Sequence, residues 1–187
     1  MDIMSINWIL LCVLALAIIN IISGYKNGLV KEIINFVSML VLSVLIVLLS
    51  SVLKSYTDKQ YIQMITMIIM VLILLLAHRL LKVALDGMKL LAKLPVVSFV
   101  NKLAGAVFGV AETVVFVWFA LCLFGMFDLG TVGEYINMYI GESQILTYLY
   151  ENNLIAILGE KILGPDFQMK ALDLLLEQGK EIVTEIM

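Results

Sequence analysis

Between positions 6 and 127 apolar residues run in long blocks that polar residues interrupt only briefly. Blocks of this length are too long for strands and match helices that cross a hydrocarbon layer about 30 Å thick. The first span is predicted at about 6–23. Trp8 and Tyr25 bracket it, separated by about 25 Å of helix at 1.5 Å per residue, a spacing that suits aromatic anchors at both interfaces. A link through Gly24, Tyr25, Lys26, Asn27 and Gly28 leads to a second span at about 33–53. A short polar stretch, 54–60, precedes a third at about 61–77.

Residues 79–94 follow a different pattern. Arg79, Lys82, Asp86, Lys89 and Lys93 stand three and four apart, so they share a narrow stripe of an otherwise apolar helix. Such a helix must bury most of its circumference in headgroups, acyl chains or neighbouring helices, with lysine stems snorkelling outward. Pro95 ends it. The next apolar stretch is too long for one perpendicular span, and divides into an interfacial helix at 96–109 and a fourth span at about 111–127. The expectation is an all-α polytopic membrane protein: a four-span domain over 1–127 with two cytoplasmic interfacial helices, and an acidic tail, 128–187, of short amphipathic helices. In that tail Asp166 is placed to cap a helix reaching Ile186.

Composition supports the lipid solvent. Of 187 residues, 63% are hydrophobic and 14% charged, more apolar side chain than a soluble domain of this size can hide. The net charge of −3 conceals a basic membrane part and an acidic tail, a balance that argues against nucleic-acid binding. Seven cations, Lys26, Lys31, Arg79, Lys82, Lys89, Lys93 and Lys102, fall in the first and third links, against Lys54 and Lys59 in the second. The positive-inside rule then puts the first and third links in the cytoplasm and both termini outside. The start lacks the cations of a signal-peptide n-region, so a retained first span is expected. Cys12 and Cys122 lie inside apolar blocks and read as small helix- or lipid-facing residues.

Candidate chemistry is sparse. Gly105 and Gly109 form a GxxxG pattern flanked by alanines, which allows two backbones to approach closely. Its partner is either an internal helix, span one or two, or a second copy of the chain. Glu112 is the one acidic residue inside an expected span. A span beginning near Lys102 would put it mid-bilayer, where it could bind a proton or cation. A span beginning near Ala111 gives the fourth helix a normal length and leaves Glu112 at the interface, paired with Lys102 or Lys31; this placement is preferred. Asn20, Asn35 and Ser38 are expected to hydrogen-bond between helices, a substrate path being the alternative. His78 has no second histidine or cysteine at ligand spacing, so no metal centre is expected and an interfacial role is assigned. Ser143 has no base on its side of the membrane; helix capping explains it. No catalytic constellation and no cofactor motif is legible.

Three stretches carry a resemblance. GYKNGLVKEI (24–33), LPVVSFVNKLAGAVFGVAETVVF (94–116) and ESQILTYLYENN (142–153) occur in the order and at the spacing of the CvpA family, the colicin V production proteins, which the chain resembles over about 6–160. The resemblance implies a four-span bacterial inner-membrane protein tied to toxin production and export and to envelope upkeep. It implies no catalytic residues. The matched positions are Gly24, Gly28, Lys31, Glu32, Lys102, Gly105, Gly109 and Ser143. Where relatives often carry a basic residue after the glycines, this chain has Glu112. The expected function is that of a non-enzymatic scaffold or accessory factor in contact with membrane lipid, a membrane or cytoplasmic protein partner, and another copy of itself if the glycine seam is intermolecular. The alternative is a transporter or channel subunit using Glu112, Asn20 and Asn35.

Overall fold

A computed structural model describes residues 7–54, 59–89 and 98–163. Seven α-helices make up this part: α1 (Trp8–Asn27), α2 (Leu29–Lys54), α3 (Gln60–Lys89), α4 (Ser98–Met126), α5 (Thr131–Gly141), α6 (Gln144–Glu151) and α7 (Leu154–Leu163). The first four are each long and apolar enough to cross a membrane, so the chain is an all-α polytopic membrane protein. Lys93, Pro95 and the helix expected from Asp166 to Ile186 lie outside the described residues.

Two expected boundaries differ. α3 runs unbroken for 30 residues, so Arg79 to Lys89 continue span three and do not start a separate interfacial helix. α4 likewise runs unbroken for 29 residues, with no division near Ala111. A continuous backbone ladder satisfies every internal amide in lipid, whereas a break inside the hydrocarbon would expose several. The link 24–28 also contracts: Gly24 to Asn27 are the last turn of α1, and Gly28 alone separates it from α2. Gly28 adopts φ +80°, a left-handed conformation that favours glycine, and its N–H closes on the Gly24 carbonyl. The first amide of α2, Leu29 N, is met by Asn101 Oδ1 at 2.9 Å.

α4 is the centre of the bundle. It packs along α1 on one side and α2 on the other, while α3 packs chiefly on α2. Its sequence explains this double role. Val115, Phe119, Cys122 and Met126 recur at three and four and are buried with Met39, Ile46 and Val47 of α2, Met70 and Leu74 of α3, and Ile155 of α7. Val117 and Leu121, on another face, are buried with Ile140 of α5 and Leu146 and Tyr150 of α6, against Ile9, Leu10 and Val13 of α1. The outward rows of the first three helices, such as Leu11, Leu14, Ile18 and Ile22 or Leu72, Leu76, Leu80 and Val83, are exposed. Hydrocarbon accepts such rows at no hydrophobic penalty.

The short helices cap one end. Asn7 caps α1 and also donates from Nδ2 to the Tyr139 carbonyl. Asp128 N donates to Gln63 Oε1 of α3 at 2.7 Å. Ser143 caps α6, as expected of it. Asn153, buried at 1% exposure, accepts from Ile155 N and Ala156 N through Oδ1 and donates from Nδ2 to the Trp118 carbonyl at 2.9 Å. It thus starts α7 and ties it to α4. Asn153→Ala is expected to lower stability by about 2 kcal/mol, through a lost cap and an unmet buried carbonyl. Asn153→Asp keeps the cap and loses the Trp118 contact, so its midpoint of unfolding in mixed micelles should fall between the other two. The opposite end of the bundle carries Lys26, Lys31, Arg79, Lys82 and Lys102, the cations that the links were expected to gather on one side.

Candidate functional site

The glycine pattern finds its partner inside the chain. α1 and α4 run antiparallel, with Asn20, Gly24 and Gly28 opposite Gly109, Gly105 and Asn101. Both helices therefore carry small residues four apart, and the helix backbones touch. A Cβ on Gly24 would lie 2.2 Å from the Gly105 carbonyl oxygen, and one on Gly109 equally close to that of Asn20. At the end of this seam Asn20 Nδ2 donates to Thr113 Oγ1 at 2.9 Å, and Thr113 in turn donates to the Gly109 carbonyl. Asn20 is thus a fastener between helices.

Glu32 and Asn35 form a second polar knot at the basic end. Glu32 is buried at 1% exposure; Oε1 accepts from Asn27 Nδ2 at 2.6 Å and Oε2 from Asn35 Nδ2 at 3.3 Å. Asn27 also reaches Ser23 Oγ. Neutral amides that donate only to the carboxylate satisfy it at a helix start, where the dipole also favours negative charge. Asn35 thus bonds within α2, and Ser38 turns back to the Ile34 carbonyl of the same helix, so neither of these contacts is the bond between helices expected of them.

The third knot is ionic. Glu112 Oε1 accepts from His78 Nε2 at 2.7 Å and from Lys82 Nζ at 3.1 Å. His78 and Lys82 stand one turn apart on α3, so both side chains reach the same point on α4. Glu112 and His78 are both buried. Depth follows from helix geometry. Lys102 lies over the Tyr25 ring, 5.7 Å from its centroid, the level at which Tyr25 is expected to mark an interface. Thr113, the neighbour of Glu112, is level with Asn20, which is five residues, or about 7.5 Å of helix, from Tyr25. Where Lys102 or Lys31 was the expected partner, Glu112 is bonded by His78 and Lys82 of α3, and α4 begins before Lys102. His78 is buried in the bundle against Glu112. Lys82, expected to point outward with the stripe, turns inward. His78 and Ser143 are not brought together.

Of the remaining cations, Lys26, Arg79 and Lys102 are exposed and Lys31 is half-buried. Lys89 is the last residue of α3. Thr113 and Asn101 of the seam, and Asn27 and Ser23 beside Glu32, were missed from sequence. For the first two a spacing signal existed. Each stands four residues from a glycine of the seam, the spacing that could have revealed them.

Residues 7–153 match the family model described as colicin V production protein. No curated protein and no solved structure matches the chain. The matched span covers all four membrane helices and ends at Asn153, and it includes the α1–α4 glycine seam, both polar knots and the Ser143 cap. The chain belongs to the colicin V production protein family.

Proposed function

We propose that the protein is a non-enzymatic accessory factor of toxin production and export, or of envelope upkeep, embedded in the bacterial inner membrane. Membership of the family supports the role in toxin production. One observation favours a scaffold over a transport path. Asn20 and Asn35, the asparagines a path would use, are each bonded within the bundle, Asn20 to Thr113 and Asn35 to Glu32, while Lys26, Arg79 and Lys102 stand exposed at one end. That end is the cytoplasmic face in this reading, with both termini outside. Its cations engage anionic lipid headgroups or an acidic partner, each worth about 1 kcal/mol near a charged membrane surface.

Charge reversal tests it. The triple variant Lys26→Glu, Arg79→Glu, Lys102→Glu should bind vesicles containing anionic lipid, and partners captured from membranes, at least 100-fold more weakly, since losing about 3 kcal/mol corresponds to that factor. Unchanged recovery of lipid and partners would remove the face from the account.

A further inference from the structure

A scaffold needs no imidazole at Glu112. Lys82 alone neutralises the carboxylate, and a Glu–Lys pair is a sufficient structural bridge between α3 and α4. Yet His78, the only histidine of the chain, is buried against the same oxygen. A carboxylate only accepts, so His78 Nε2 carries the hydrogen of that bond and, in the neutral ring, Nδ1 keeps a bare lone pair. Nδ1 is buried and has no hydrogen-bond partner among the described residues. Lys82 differs from both, since 29% of its side chain is exposed and it lies nearer the basic end.

We infer that His78, Glu112 and Lys82 form an intramembrane proton-binding site, in which a proton arriving on His78 Nδ1 displaces Lys82 as the second partner of Glu112. Charge counting drives the exchange. Carboxylate, ammonium and neutral imidazole sum to zero. A proton taken from water onto the Nδ1 lone pair makes the ring an imidazolium and leaves the buried cluster with one excess positive charge, which a low-dielectric interior resists. The cation able to leave is Lys82, whose flexible stem lets its ammonium reach the headgroups. The Nζ–Oε1 contact breaks, the Nε2–Oε1 bond persists, and His78 with Glu112 remains a neutral pair. Release of the proton to water reverses each step.

Among the described side chains, Glu112 is bonded by His78 and Lys82. From α1, Asn20 reaches Thr113, the neighbour of Glu112, and the helix carries Lys26 as its one charge. α2 carries Lys31, Glu32 and Lys54, of which Glu32 is held by Asn27 and Asn35. On α4 itself Lys102 lies over Tyr25. On α3, Arg79 is exposed, and Asp86 follows Lys82 by one turn. The consequence is a cytoplasmic face that gains a free lysine when the site is protonated. That consequence rests on the function proposed above; the proton site does not.

With a single histidine, imidazole-15N labelling in lipid nanodiscs reports His78 alone. The expected result is a ring that carries its hydrogen on Nε2 in alkaline buffer and becomes imidazolium when the buffer is acidified. Glu112→Gln removes the anion and Lys82→Met removes the competing cation, so the two should have opposite effects on how readily the imidazolium forms. A ring that keeps one state throughout, a hydrogen on Nδ1 at high pH, or a midpoint indifferent to Lys82→Met would overturn the site. If Glu112→Gln does not fold, Lys82→Met alone decides. Amine labelling of Lys82, referenced to Lys26 and Lys102 to cancel the reagent's own pH dependence, should rise as imidazolium forms; a constant ratio overturns the exchange. Because the charge-reversal assay does not involve this cluster, failure of either idea leaves the other standing.

Discussion

Gly109→Leu should abolish the native bundle, and even Gly109→Ala should weaken it by about 3 kcal/mol or more. A Cβ at this position would sit 2.2 Å from the Asn20 carbonyl oxygen and 2.7 Å from its carbon. Those atoms are helix backbone, so no side chain can rotate away. α1 and α4 would have to separate along their length, and the Asn20–Thr113 bond would open with them. Overpacking a close-packed core typically costs about 1–3 kcal/mol, and a displaced helix pair adds lost contacts along the seam. Gly141→Ala is the control, because a Cβ there meets nothing within 4 Å. That variant should be unchanged or more stable by up to about 1 kcal/mol, the gain in helix propensity. Denaturation in mixed micelles, followed by circular dichroism, gives both numbers. If Gly109→Leu unfolds at the wild-type midpoint and only the oligomer size changes, the seam joins copies of the chain, and the intramolecular packing is wrong.

The second large effect is a strong non-additivity at Glu112. Removing either donor leaves the other bonded to Oε1, so His78→Leu and Lys82→Met should each destabilise by no more than about 1–2 kcal/mol. The double variant strands a buried carboxylate, for which about 3–5 kcal/mol is the usual penalty. The excess over the sum of the singles measures the coupling. Adding Glu112→Leu to the double variant should restore most of the loss, since the three positions then form an apolar contact between α3 and α4. Additive singles, or a triple variant no better than the double, would show that the carboxylate reaches water or another partner.

How much of this was legible in the sequence depends on whether a feature is local. Span count, the gathering of cations at one end and the packing role of Gly105 and Gly109 follow from patterns within one segment. Gly24 and Gly28 were visible too, but Lys26 and Asn27 between them made the stretch read as a turn, although lysine can snorkel from a last helical turn. The α1–α4 register was not legible, because four-residue spacing shows that a helix has a small face but not which helix meets it. The ionic knot failed for the same reason. Periodicity put Lys82 on a stripe with Arg79, Asp86, Lys89 and Lys93, and a stripe has no label saying inward or outward. His78 and Glu112 are 34 residues apart, so only the folded chain could pair them. Asn153 stood in plain view before the apolar run Leu154 to Leu158; an asparagine there is a helix-start signal.

The polar attachments of α3 lie at two widely separated heights. Gln63 holds it to Asp128 at the capped end, and His78 with Lys82 holds it to Glu112 some four turns away. Between them the helix meets its neighbours through methionine and leucine, which slide over one another with little directional preference. Among the described side chains α3 is thus tethered by polar contacts at two heights with a compliant apolar stretch between them, so that loosening the Glu112 contact would be felt at the basic end before the capped one.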